Sequence, residues 1–199
     1  VGCGGGTGAR VDARSTPQNA RLQAMLATVP DMPAGFSDRA RDHWQPPFTP
    51  ADGNCRKIFA FVEGRPPKED LSAVSAVTYQ GAGVGALAAV SVAVYHGDLS
   101  AKRLLTMRDA VSKCVIADDS TPGGSNRLTS FPLPMNEDGW TGRRLKGRVG
   151  GYPYEMHLVV ARQGRTVMAL VNGGVRPPDV KRTEELGRLL MAKVGTLDL

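Results

Sequence analysis

Cysteine is scarce in this chain. There are three, and no two form a Cys-x-x-Cys pair. Zinc ribbons and thioredoxin-like sites need that spacing, so neither metal nor redox chemistry is indicated. Histidine is equally scarce. His43, His96 and His157 stand apart, and none falls at ligand spacing from another His, Cys or carboxylate. Each reads as a packed or surface residue, and no cofactor is expected. Aromatics are 6% of the residues, too few to interleave with cations in a nucleic-acid groove, and no recognition motif is present. No apolar run reaches the roughly 18 residues that span a bilayer. The longest, Val84 to Tyr95, is broken by Gly85 and Ser91.

Catalytic motifs are missing too. Neither G-x-x-x-x-G-K-[ST] nor G-x-S-x-G occurs. Gly4-Gly5-Gly6-Thr7-Gly8-Ala9 fits G-x-G-x-x-A, but no strand pattern leads into it and no helix pattern starts on it, as a dinucleotide loop requires. The acidic pairs Glu69-Asp70 and Asp118-Asp119 sit in loop-like stretches beside Lys68 and Ser120, which reads as solvated turns or caps. With no nucleophile, base or metal set in view, the chain is read as a non-enzyme.

Glycine is what the start of the chain has. Val1-Gly2-Cys3 resembles the end of a bacterial lipoprotein signal peptide, which is cut just before a cysteine that becomes lipidated. Cys3 is then the lipidation site, and residues 1–15 are a lipobox remnant and disordered tether, because glycine-rich chain has no stiff conformational preference. The expected location is the outer face of the cytoplasmic membrane or the cell surface, held by acyl chains. The plain alternative is a cytosolic fragment with a chance cysteine. If Cys3 is lipidated, Cys55 and Cys114 remain, and outside the cytoplasm an even remainder suggests a disulfide. Two separate buried thiols are the alternative.

The net charge of +6 is carried by the second half. Residues 1–99 hold 9 Lys/Arg against 9 Asp/Glu, and residues 100–199 hold 16 against 10. Arg143, Arg144, Lys146 and Arg148 form the densest cluster. Near a bilayer such a patch favours anionic lipid or wall polymer, while its plain reading is a solvated strand face.

Residues 16–199 read as one domain. Thr16-Pro17 starts a helix whose Leu22, Met25, Leu26 and Val29 share a face. Residues 31–54 are a proline-rich loop, with a short strand around Arg41 to Gln45 and Trp44 as a core plug. Ile58 to Val62 fits strand or helix. Val74 to Gln80 and Val84 to Tyr95 read as strands joined at Gly81-Ala82-Gly83, and Asp98 caps a helix over Ser100 to Lys113 with Leu104, Leu105, Ala110 and Val111 as its stripe. Strands follow at Arg127 to Leu133 and Arg143 to Val149. A hairpin turns at Gln163-Gly164, setting Val160 against Val167 and Leu158 against Ala169. Pro178 to Val194 is the last helix. The order predicts an α+β fold: an antiparallel twisted sheet with helices packed on one face. Val159, Ala161, Met168 and Leu170 point away from that face and are also apolar. The second face therefore needs a pocket or partner, or cover from the loops 31–54 and 115–126.

A β-rich stretch ending in Val92-Ala93-Val94-Tyr95, then the Ala101 to Cys114 helix closing on a cysteine, resembles the PknH-like extracellular sensor-domain family of actinobacterial kinases and lipoproteins. The Tyr154 to Val171 hairpin and the last helix match its order, so the resemblance covers roughly residues 16–195. It implies an α+β sandwich-like domain, usually with a cleft, that binds an extracytoplasmic ligand. The family commonly has two disulfides, whereas this chain has cysteines for Cys55–Cys114 alone. In outline the chain is also similar to lipid-carrying mycobacterial lipoproteins. The expected function is thus a lipid-anchored, ligand-binding, sensor-like lipoprotein without catalysis. The alternatives are a carrier of lipid or glycolipid in an apolar cavity, and a cell-envelope interaction protein using its basic surface. The expected partners are the membrane, an unknown small-molecule or lipid ligand, and no nucleic acid.

Overall fold

Every strand pairing among the described residues is antiparallel. The computed structural model describes residues 17–196. Their order is α1 (Pro17–Ala27), β1 (Phe36–Arg41), α2 (Gly53–Val62), β2 (Leu71–Gly81), β3 (Leu87–Tyr95), α3 (Leu99–Lys113), β4 (Ile116–Asp118), β5 (Arg127–Leu133), β6 (Thr141–Val149), β7 (Tyr152–Gln163), β8 (Thr166–Gly174) and α4 (Val180–Gly195). The strands form one sheet in the order β1-β2-β3-β8-β7-β6-β5-β4. The α+β class and the single antiparallel sheet are as the sequence predicts. Cys3 and the tether, residues 1–15, lie outside the described residues.

The helices are not confined to one face, and this corrects the expectation. Alternate residues of β3, β7 and β8 build two separate cores. Ala89, Ala93, Leu158, Val160, Val167 and Val171 pack with Ile58 and Phe59 of α2 and Met107 and Val111 of α3. Val90, Val92, Val159, Met168 and Leu170 pack with Leu22 and Leu26 of α1 and Leu186 and Leu190 of α4. Burying a large apolar side chain stabilises by about 1.5–3 kcal/mol, so a strand apolar on both sides demands two covers. Helices supply the second cover, not the loops 31–54 and 115–126. The first of those loops instead sends Trp44 and Phe48 into the α2/α3 core, where both rings meet Phe59.

Local readings change where caps and packing decide. The Ile58 to Val62 segment is helical because Asp52 accepts from the backbone N–H groups of Asn54 and Cys55, both at 2.9 Å. Cys55, Ile58, Phe59 and Val62 then share one buried stripe. The first strand lies at 36–41 and not 41–45, since Trp44 leaves the sheet edge to enter the core. In α3, Met107 is buried in the stripe and Leu105 is 64% exposed, and Asp98 makes no side-chain cap bond. The hairpin turns one residue later than expected. Gln163 faces Thr166, so Val160 opposes Ala169 and Leu158 opposes Val171. Gly164, at φ 55°, takes the first central position of a two-residue turn, where positive φ favours glycine. The resulting two-residue slip preserves which side chains share a face, because the strand period is two.

Cys55 and Cys114 are bonded, with Cα atoms 4.8 Å apart across a separation of 59 residues. The bond ties the first turn of α2 to the end of α3, and both half-cystines are buried. Closing so long a loop restricts the unfolded chain by about 4 kcal/mol in the chain-entropy model. Cys55→Ala/Cys114→Ala is expected to lose stability of that order in urea denaturation. An unchanged midpoint would refute the contribution.

Candidate functional site

A cleft of about 190 Å³ opens where β1 stops covering β2. β1 pairs with β2 only from Thr78 to Gly81, so Val74, Ser75 and Ala76 lie on an edge that β1 does not reach. Helix α1 flanks this stretch. Asn19 Oδ1 accepts from the Val74 N–H at 2.8 Å, and Ser72 Oγ donates to Gln18 Oε1 at 2.6 Å. The side-chain amide thus sits where the carbonyl of a neighbouring strand would sit. Asn19 and Gln23 form one wall, and His43 lines the cleft from the segment after β1.

The opposite wall is the chain leaving α2. Gly64 has φ +85°, and a Cβ there would meet the Ala76 Cβ at 2.8 Å. Glycine is thus required both by the left-handed backbone and by the close approach. Beyond it, the Arg65 guanidinium pairs with the Glu63 carboxylate. The lining therefore offers two amides, an imidazole, the Ser75 hydroxyl and one ion pair. This is a hydrogen-bonding surface. Its volume is below the roughly 300–1,000 Å³ of drug-sized sites, which suits a compact polar molecule. The sequence reading reached His43 only as a histidine beside Trp44 and missed the rest. Pro66-Pro67 after Gly64 marks the loop but not what the loop faces.

The predicted basic cluster is divided by the pleat. Arg144, Lys146 and Arg148 are exposed on the α1/α4 side of the sheet. Arg143, paired with Leu158, lies on the other side and donates from Nε to Ser130 Oγ at 2.8 Å. The acidic pairs do not converge on the cleft. Glu69 pairs with Arg103 at 2.7 Å, Asp118 with Arg127 at 3.2 Å, and Asp119 accepts from Thr121 N–H and Asn126 Nδ2. Backbone and side-chain hydrogen bonds hold the Asp119 carboxyl below the usual carboxylate range.

A second polar group is buried between β7, β8 and α4. Asn172 Nδ2 donates to Thr183 Oγ1 at 3.0 Å, and Thr183 Oγ1 donates to the Asp179 carbonyl at 3.0 Å. His157 Nδ1 is 2.9 Å from the same hydroxyl. With the hydroxyl proton on Asp179, His157 is assigned the Nδ1–H tautomer. Glu155 Oε1 lies 4.0 Å from His157 Nε2 and 3.8 Å from Arg144 Nε. His157 is 1% exposed, the packed histidine that the sequence suggested. Burial first, then the Arg144 charge, pushes its pKa down to about 4, against the attraction of Asp179.

The unfolded histidine, near its ordinary 6.5, therefore takes up a proton before the folded one does. This stabilisation is full above about pH 6.5 and is lost as pH falls toward 4. The loss amounts to roughly 3 kcal/mol. Urea midpoints are expected to fall across that window, and His157→Gln is expected to flatten the slope. An equal slope in the variant would remove His157 as its cause.

No protein-family model and no curated protein matches the chain in sequence. Among solved structures, the extracellular domain of PknH from Mycobacterium tuberculosis is similar, with a TM-score of 0.61 at 10% identity, covering 89% of this chain and 91% of that one. The layout resemblance to PknH-like extracellular sensor domains therefore holds as a likeness of fold.

Proposed function

We propose that this chain is an extracytoplasmic, sensor-like binding domain, lipid-anchored through Cys3, that holds a compact polar ligand without transforming it. The observation that carries the reading is the cleft at the β2 edge. Its walls carry the hydrogen-bonding side chains of Asn19, Gln23, His43 and Ser75 around an uncovered strand edge, and Asn19 is held there by the Val74 N–H. Two other facts support the location. A buried disulfide forms and persists in oxidising compartments, and the fold is similar to an extracellular domain. Among the described residues no helix is long and apolar enough to cross a membrane. The polar lining favours a polar ligand over the acyl chain that a lipid carrier would hold.

Two measurements test this. Wild-type chain is expected in salt-washed membranes of an actinobacterial host, and Cys3→Ala is expected in the soluble extract. Retention of the variant after the same salt wash, which releases charge-held protein, would overturn lipid anchoring. Native mass spectrometry of the exported Cys3→Ala protein is expected to show a small adduct that Gln23→Ala/His43→Ala loses. An adduct retained by that variant would place binding elsewhere.

A further inference from the structure

The sheet is covered unequally at its two ends. On the α1/α4 side, α1 lies over β2, and α4 lies over β7 and β8. On the same side of β5 and β6, Arg127, Phe131, Arg144, Lys146 and Arg148 are exposed. The opposite faces of these strands bury Leu128 and Leu145 in the α2/α3 core. Among the described residues, one end of the sheet is thus covered on one side only.

We propose that this uncovered end docks the domain on an anionic phospholipid bilayer. The pairing register arranges the cations in rows. Asp118, Arg127 and Arg148 lie side by side across β4, β5 and β6. Thr129 and Lys146 form the next row, and Phe131 and Arg144 the one after. Neighbouring strands are about 4.8 Å apart, and alternate residues along a strand about 6.6 Å. The charges therefore lie within about a Debye length of their neighbours and act together.

Two features point to an external anion. Arg127 and Arg148 are direct cross-strand partners, and like charges so placed destabilise a sheet. Internal neutralisation is incomplete: Asp118 lies 3.2 Å from Arg127 and the buried Glu155 3.8 Å from Arg144, and among the described residues neither Lys146 nor Arg148 has a carboxylate within ion-pair distance. Phe131 points to the bilayer over a soluble polyanion. Its ring is 42% exposed with the Arg144 guanidinium 5.9 Å from its centroid. Cations alone satisfy a polymer, whereas an exposed ring among cations gains apolar contact at a headgroup boundary.

The proposal is independent of the cleft and of lipidation, so the test uses full-length Cys3→Ala protein. It is sedimented with vesicles of phosphatidylcholine containing about one third phosphatidylglycerol, and with pure phosphatidylcholine vesicles. Binding is expected to the anionic vesicles and not to the neutral ones. Lys146→Ser/Arg148→Ser is expected to weaken it roughly thirty-fold, as loss of two surface cations implies. Phe131→Ser is expected to weaken it several-fold. Arg56→Ser/Lys57→Ser, which removes equal charge from α2 on the other side of the sheet, is expected to leave it unchanged. Absence of vesicle binding overturns the proposal, as does equal weakening by the two charge variants. Full binding by Phe131→Ser, together with capture of soluble polyphosphate, assigns the face to a polyanion and also overturns it.

Discussion

Two-sided burial of the central strands is the constraint on which the rest depends. β8 is buried along all nine residues and β3 along all but its first. Strands of this kind are stable only between two layers, since exposing either face would forfeit several apolar side chains. The four helices of the described residues divide accordingly, two to each side, and the disulfide ties together the pair on one side. β2, nearer the edge, instead alternates buried and half-buried residues, as expected of a strand covered chiefly on one side.

The two surfaces proposed for binding arise where that cover ends. At one end, β1 is short and α1 substitutes a side-chain amide for part of a strand, which leaves a polar cleft on the β2 edge. At the other end, α4 stops short of β5 and β6, and the residues left in the open are cations around an aromatic ring. Between these ends, Thr183 of α4 meets Asn172 and His157 of the sheet. That contact shows how closely the helix layer controls polar side chains on the same face. The loop before β6 is fixed to this helix as well: Glu184 accepts from Asn136 at 2.7 Å, and Gly187 lets the Trp140 ring approach too closely for any Cβ.

How much of this was legible depended on the range of the interactions. The alternation in Tyr154 to Val171 assigns the hairpin side chains of β7 and β8 to the correct faces even with a register two residues off, because period-two alternation survives an even slip. The α2 segment stayed ambiguous because five apolar residues fit either period. Asp52, whose cap decides the matter, lies three residues before Cys55 and outside the apolar run Ile58 to Val62. The basic cluster was visible as composition, yet its division by the pleat was not, since adjacent strand residues point to opposite sides. The cleft left almost no trace. Asn19, Gln23, Glu63 and Ser75 are ordinary polar residues until three separate segments bring them to one edge.

What the sequence by itself determined was the class of the fold, the pairing of Cys55 with Cys114 as an expectation from their number and setting, and the apolar character of both faces of the central strands. These follow from local periodicity and from counting. Tertiary structure alone decided that helices cover both faces, where that cover runs out, and which polar residues it leaves facing a cleft or solvent. The physical reason is that exposure of a strand face is a property of the neighbouring layer. No residue records in its own identity whether a helix will lie above it.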